Sequence, residues 1–334
     1  MKPFLDKLVA GQDLTRAEST AAMQLIMSDR ADDAAVGAFL AMLAAKRETV
    51  EEIVGAAEAM RARVTPIRCA ADCIDTCGAG GDGISTFNVS TTAAIIAAAA
   101  GAIVAKHGNV TNTRVSGSAE LLGTLGVNIE CSPAVVERCL RDVGIGFLFA
   151  RKLHPAMKYA APVRRSLGIR TIFNLLGPLT NPAGVKRQVL GVPRAELTET
   201  LAEVLEQLGS VRALVVHGMD GLCDLTLTDE TRVSELRDGE IETRQVAPED
   251  VNLCRAPLKE LMVRSPQESA EVVGRILSGE PGPPRDHALL NAAAALVVAD
   301  VAGDLPCGLQ LAADAVDDGR ACETLRRLIE VTNA

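Results

Sequence analysis

Between Asp75 and Thr91 the chain reads DTCGAGGDGISTFNVST, in which four glycines (Gly78, Gly80, Gly81 and Gly83) fall within six residues around Asp82. Glycine lets backbone N–H groups approach a ligand closely. Thr86, Asn88, Ser90 and Thr91 follow, directly before the apolar run AAIIAAAAGAIVA, which reads as a helix. A helix N-terminus adds unpaired donors and a partial positive charge. Strand, glycine turn and helix start together suit a phosphate or a diphosphate. The spacing matches neither generic nucleotide-loop signature, and glycine turns by themselves are usually plain turns. The second cluster, KHGNVTNTRVSGSAE from Lys106 to Glu120, supplies a cation, a histidine, amides and hydroxyls, again ahead of a helical pattern. Two such loops separated by one apolar helix face each other at the carboxyl ends of adjacent strands, where open α/β sheets place ligands.

The elements that must position these loops change character along the chain. Residues 1 to about 63 read as helices only. Thr15 caps AESTAAMQLIMS, Asp32-Asp33 opens AAVGAFLAMLAAK, and Thr49 with Glu51 and Glu52 opens EEIVGAAEAMRAR. Pro66 ends that pattern. From Cys73 short apolar runs alternate with helical segments: CIDTC, AIVAKHG, VNIE, IGFLFA and RALVVHG. That alternation predicts a mixed or parallel sheet flanked by helices. The fold class is therefore α/β, with a small N-terminal all-helical domain (1–66) and a large α/β domain (67–334). The segment HPAMKYAAPVRRSLGIRTIFNLLGPLTNP reads as helical in its first half and as a proline-punctuated loop in its second.

Composition narrows the partners. The formal charge is −9, which argues against nucleic acid, whose binding relies on a basic face. It also conflicts with an anionic diphosphate ligand unless a divalent cation, held by protein carboxylates, accompanies the phosphates. Magnesium is the cofactor this implies. The longest apolar run, Ala93 to Ala105, is shorter than the roughly twenty residues of a membrane span. The N-terminal stretch lacks an extended apolar signal region, so a cytoplasmic protein without membrane partners is expected. Nine cysteines in such a chain read as free thiols. Cys69, Cys73 and Cys77, four apart, would line up on a helix. Zinc is the sharper reading of that spacing and small buried hydrophobes the plainer one, which the lack of partner motifs favours.

GAGGDG with TFNVST, KHGN with SGSAE, the long segment GFLFARKLHPAMKYAAPVRRSLGIRTIFNLLGPLTNPAG, VVHGMDGL and LLNAAAAL occur in one order over nearly the whole chain. In these the chain resembles the anthranilate phosphoribosyltransferases of tryptophan biosynthesis, in the structural class shared with pyrimidine nucleoside phosphorylases. The resemblance implies transfer of the phosphoribosyl group of 5-phosphoribosyl 1-diphosphate to the amine of anthranilate, with release of pyrophosphate. It also implies that a segment near 155–185 returns to the helical domain, and that the protein is a homodimer. Gly78, Gly81 and Asp82 would line the diphosphate loop, and Thr86, Asn88, Val89, Ser90, Thr91, Lys106 and Ser118 would bind the same substrate. A surface lysine is the plainer reading of Lys106. Gly78, His107, Asn109 and Arg164 would meet anthranilate, Arg164 by bidentate pairing with its carboxylate; a helix-surface ion pair is the plainer reading of that arginine. No acid–base residue is assigned, since an aromatic amine is already a neutral nucleophile, and His107 is read as packing beside the acceptor ring. His154 and His287 are read as structural, and His217 as ending a strand.

The pattern breaks in two places. Where the family has an Asp-Glu pair holding magnesium, this chain has Cys223 and Asp224. A thiol is a poor ligand for a hard ion, so Ser90 and Asp224 remain as the metal residues. After KHGN the family continues with arginine and a serine pair, whereas this chain has Val110, Thr111, Asn112, Thr113 and Arg114. Thr113 would replace one hydroxyl and Arg114 the lost charge. These breaks keep open a related transferase for another aromatic acid or amine, and a catalytically weak homologue acting as a binding protein.

Overall fold

The computed structural model describes residues 1–70, 72–111 and 114–334. Helix α1 spans Lys2–Val9, an element the sequence pattern did not signal. It is followed by α2 (Arg16–Ile26), α3 (Asp33–Lys46) and α4 (Val50–Arg61). The starts of the last three are fixed by their caps. Thr15 and Glu18, and again Thr49 and Glu52, form reciprocal capping boxes, and Asp32 accepts the N–H of Ala35. Helices α2 and α4 cross closely at Gly55, where a Cβ would lie 2.3 Å from the Arg16 carbonyl oxygen.

The sheet begins with β1 (Ile74–Gly78), which the glycine loop joins to α5 (Val89–Ala99). Strand β2 (Val104–Gly108) follows, then α6 (Ser118–Thr124), α7 (Pro133–Asp142), β3 (Ile145–Phe149) and α8 (Ala150–Leu153). Helices α9 (Ala161–Leu167) and α10 (Ile172–Leu179) pack back on α3 and α4 before the chain re-enters the sheet at β4 (Arg187–Gly191). Helix α11 (Leu197–Gln207) then leads to β5 (Arg212–Gly218) and an antiparallel pair, β6 (Thr231–Arg237) and β7 (Glu240–Val246). Four helices close the chain: α12 (Pro266–Leu277), α13 (Pro283–Val298), α14 (Leu305–Asp317) and α15 (Arg320–Asn333).

The seven strands lie in the order β3-β2-β1-β4-β5-β6-β7. The first five are mutually parallel and the last two antiparallel, so the sheet is mixed. The chain leaves β1 toward β2 on one side and returns to β4 on the other. The crevice at the carboxyl ends of β1 and β4 is thus a topological switch point. One face of the sheet is covered by α5, α13 and their neighbours, whose many alanines allow close approach. On the other face one apolar cluster runs from the N-terminal helices through α10 and α11 to β5, and a smaller one gathers Ala105 of β2 and Leu148 of β3 with Val136 and Leu140 of α7.

Four points of the sequence reading need correction. VNIE (127–130) is not a strand but a helix-to-helix turn. Gly126 at φ 94° ends α6, the Val127 N–H returns to Leu122, and Pro133 starts α7. The returning segment does not loosen into a loop after residue 170. Helix α10 includes Pro178 in its last turn, and the Thr180 hydroxyl bonds back to Leu176. Cys69, Cys73 and Cys77 do not share a helix, because Cys77 lies in β1 and Cys73 just before it, both buried. Finally, the β6–β7 hairpin is absent from that reading although Asp238-Gly239 sits at its turn, with both residues at positive φ.

Candidate active site

A cavity of about 350 Å³ opens at the carboxyl ends of β1 and β2. Gly78 and Gly81 form its glycine-loop wall, and Asn88, Val89, Ser90 and Thr91 its floor at the start of α5. No side chain caps α5; the Val89 N–H bonds the Phe87 carbonyl at 2.8 Å and the Thr91 N–H the Asn88 carbonyl at 3.2 Å, which leaves the Ser90 N–H of the first turn for a ligand. The Thr91 hydroxyl is buried without a hydrogen-bond partner, as a group awaiting an acceptor would be. Ser118, at the start of α6, faces the same space and donates to the Asn109 carbonyl at 3.3 Å.

Two predicted residues take other work. Thr86 is buried away from the cavity, in a bridge to Met262. The Asn88 side chain is consumed by structure. Its amide donates to the Ser116 carbonyl at 3.1 Å, and its oxygen accepts from Ser116 and Ser269 at 2.7 and 2.8 Å. Asn88 therefore ties the second loop and α12 to the start of α5, and its side chain is spent on protein partners.

Lys106 is 2% exposed, which excludes the surface reading, and its ammonium donates to the Thr76 carbonyl at 2.5 Å. Beneath it Asp75 is fully buried. One carboxylate oxygen accepts the His107 N–H at 3.1 Å and the other the Asn181 amide at 2.8 Å. Burial raises the Asp75 pKa, and nearby Lys106 works against that rise. Arg164, Arg170 and Arg114 also line the cavity, so the site is locally cationic although the chain is acidic. Thr113, expected to replace a serine, lies outside the described residues.

Another wall of the cavity is built from the returning segment. The half-buried Arg164 guanidinium lies 5.1 Å from the Phe173 ring centroid, and no ion pair or hydrogen bond engages it among the described residues. That excludes the helix-surface ion pair. Asn109 lines the cavity and spends its side-chain oxygen on the Val110 N–H at 2.9 Å. Phe173, Asn174, Gly177 and Arg170 also line the space and were not singled out as site residues, though all stand in GIRTIFNLLGP. Arg170 donates to the Gly80 carbonyl at 2.9 Å, which latches this segment to the glycine loop.

His107 has no lone pair to offer a substrate. Its Nδ1 lies 3.1 Å from the Gly177 carbonyl, which only accepts, so that nitrogen carries the proton. Its Nε2 then accepts from His154 Nε2 at 3.0 Å. Burial, with His154 and Lys106 nearby, pushes the His107 pKa down to about 3, and burial pushes His154 down to about 4. His107 therefore lines the cavity with both ring nitrogens engaged. His287, buried in α13, is likewise held down at about 4 by burial. All three are neutral when folded and titrate near 6.5 when unfolded, so the unfolded chain takes up protons first as pH falls. Stability is therefore full above pH ~6.5 and lost below it, by about 2 kcal/mol per histidine at pH 5. Asp224, raised by burial to about 6, has the opposite sign and recovers about 1 kcal/mol over that range. Denaturant unfolding in EDTA at pH 7.5 and 5.0 should show a net loss of several kcal/mol. An unchanged stability would contradict the neutral, buried pair.

At the far end of β4, Gly191 lets the 222–224 turn cross the strand ends, since a Cβ there would lie 1.7 Å from the Cys223 carbonyl oxygen. This brings Cys223 and Asp224 to the cavity wall. Burial pushes the Cys223 thiol up to about 12, so it stays protonated and is no ligand for a hard ion. Asp224 is buried with no hydrogen bond to its carboxylate among the described residues. A hollow of about 10 Å³ lies between it and Ser90. Magnesium normally takes one or two protein oxygens and completes its shell with phosphate and water. One free carboxylate and one hydroxyl fit that pattern. No group of three His, Cys, Asp or Glu side chains that could hold a metal occurs among the described residues.

A helical bundle on an α/β unit, with a cationic cavity at the switch point, defines a glycosyl-group transferase. The helical bundle domain of a glycosyl transferase family matches residues 2–64, and its a/b domain matches residues 70–322. The chain belongs to this family and, within it, to the anthranilate phosphoribosyltransferases. It is 51% identical to the anthranilate phosphoribosyltransferase of Symbiobacterium thermophilum, over 100% of this chain and 98% of that one. The crystal structure of the Thermus thermophilus enzyme superposes with a TM-score of 0.94 at 41% identity, covering 99% of each chain. The Saccharomyces cerevisiae enzyme, solved in complex with PRPP and Mg, gives 0.91 at 28% identity over 99% of this chain and 97% of that one.

Proposed function

We propose that the chain transfers the phosphoribosyl group of 5-phosphoribosyl 1-diphosphate to the amine of anthranilate, releasing pyrophosphate. The observation that carries this reading is the division of one cavity into two halves. Phosphate donors and Lys106 form one, and the unpaired Arg164 guanidinium above Phe173 forms the other. The Ser90 N–H at the start of α5, with the Ser90 and Thr91 hydroxyls and Lys106, holds the diphosphate and offsets charge as the carbon–oxygen bond breaks. Ser90 and Asp224 would hold magnesium, which when bound neutralises the leaving diphosphate. Arg164 anchors the acceptor carboxylate and so aims the amine at the anomeric carbon, with His107 as a fixed wall. Because both nitrogens of His107 are engaged, the amine proton leaves without help from that ring.

No helix among the described residues is long and apolar enough to cross a membrane. Domains bounded near residue 66, a cytoplasmic location and a homodimer complete the reading, and sedimentation tests the last of these. The reaction itself is tested by loss of anthranilate fluorescence with phosphoribosyl diphosphate and titrated magnesium. The chain has no tryptophan and one tyrosine, so background is low. A magnesium-dependent loss is expected. No loss with anthranilate, but turnover of another aromatic acid or amine, would reassign the acceptor.

A further inference from the structure

Asp82 is the one carboxylate of the glycine loop, and its side chain is 0% exposed. It is not alone there. Arg114, 32 residues further on in the second loop, places Nε 2.7 Å from Oδ1 and closes an Nη2 contact on Oδ2. The pair is bidentate, the strong form of this interaction. The Cys223 N–H donates to Oδ2 and the Ile84 N–H to Oδ1, each at 3.4 Å, so the carboxylate is fixed from three sides. The Arg114 backbone N–H is bound to the Thr111 hydroxyl at 3.2 Å. Its guanidinium lines the same cavity as Lys106, Ser118 and the start of α5.

This arrangement suits a substrate-triggered exchange better than a static brace. A buried carboxylate in a diphosphate site opposes the ligand, and a guanidinium spent on that carboxylate contributes no net charge. Asp82 occupies only part of the guanidinium fork, and the rest remains available to a second planar or tetrahedral anion. A diphosphate carries more charge than a carboxylate and presents several acceptor oxygens to the same fork.

We propose that Arg114 is a diphosphate ligand held in reserve by Asp82, and that the guanidinium exchanges the carboxylate for the substrate's diphosphate on binding. The exchange replaces the direct pair between the second loop and the glycine loop by a contact from Arg114 to the diphosphate. It rests on the phosphoribosyl diphosphate reading above.

The test uses calorimetric titration of the full chain with two probes, inorganic pyrophosphate and ribose 5-phosphate, in EDTA and again with magnesium. Arg114→Ala should weaken pyrophosphate about 30-fold and leave ribose 5-phosphate within about twofold. Arg114→Lys, which keeps the charge but loses the fork, should fall between and guards against misfolding of the alanine variant. In EDTA, Asp82→Asn should tighten pyrophosphate about fivefold, and this gain should vanish in the Arg114→Ala background. Equal weakening of both probes by Arg114→Ala would make Arg114 a brace. An unchanged pyrophosphate affinity, or an Asp82→Asn gain that persists without Arg114, would also overturn the exchange. Wild-type protein that binds neither probe would instead overturn the phosphoribosyl diphosphate reading, and the exchange with it.

Discussion

Replacing Arg164 by alanine is expected to raise the KM for anthranilate about 100-fold and to leave that for phosphoribosyl diphosphate within about twofold. The guanidinium is half-buried on α9, lies over Phe173 and has no anionic partner among the described residues. Burial lowers its pKa from the ordinary arginine value, which marks a cation kept in a poorly solvated place without compensation. Such a group costs stability unless a ligand pairs with it, and a charge-assisted, bidentate pair with a carboxylate contributes about 2–3 kcal/mol. Arg164→Lys should recover only part, because an ammonium cannot present the planar fork. Aniline, which has the amine and lacks the carboxylate, gives the control. Wild type and variant should use it equally poorly. If Arg164→Ala slows aniline as much as anthranilate, the arginine orders the wall and does not hold the carboxylate.

Lys106→Met is expected to have the larger effect, lowering kcat/KM for phosphoribosyl diphosphate about 1,000-fold, on the order of 4 kcal/mol. Lys106 is buried, and it is the one lysine on the cavity wall among the described residues. Methionine keeps the length and apolar stem, so the loss isolates the charge. A second consequence follows from Asp75, whose raised pKa Lys106 restrains. Without the ammonium that pKa climbs further. A carboxyl with a raised folded pKa stabilises at low pH and loses that contribution as pH rises through the folded value. The variant should therefore be most destabilised at alkaline pH, and its deficit should shrink as the pH is lowered, while activity stays lost throughout. Chemical unfolding across pH, set beside steady-state kinetics, separates the two roles. A variant that regains turnover at low pH would show that Lys106 acts only by supporting Asp75.

Where an interaction closes within a few residues, the sequence decided it. Thr15 with Glu18 and Thr49 with Glu52 reach each other across one turn, so their helices start where the residue types place them. The strand, glycine loop and helix from Ile74 to Ala99 were legible for the same reason, and so was the position of the cavity wall they form. The hairpin at Asp238-Gly239 is equally local, and its turn signal stands in the sequence.

Other assignments depended on partners distant in the chain. Arg114 meets Asp82 across 32 residues, His154 meets His107 across 47, and Arg170 reaches Gly80 across 90. Nothing near Asn88 in the sequence says that its amide will hold Ser116 and Ser269, or that the Thr86 backbone will bridge to Met262. The sequence set which groups could bind a diphosphate and a carboxylate. The packing of α9 and α10 on α3 and α4, and of the 222–224 turn over Gly191, decided which of those groups remain unpaired at the cavity. The physical reason is that local hydrogen bonds need only the chain's own geometry. Burial, by contrast, forces every polar group to find a partner anywhere in the fold, and the few left over mark the site.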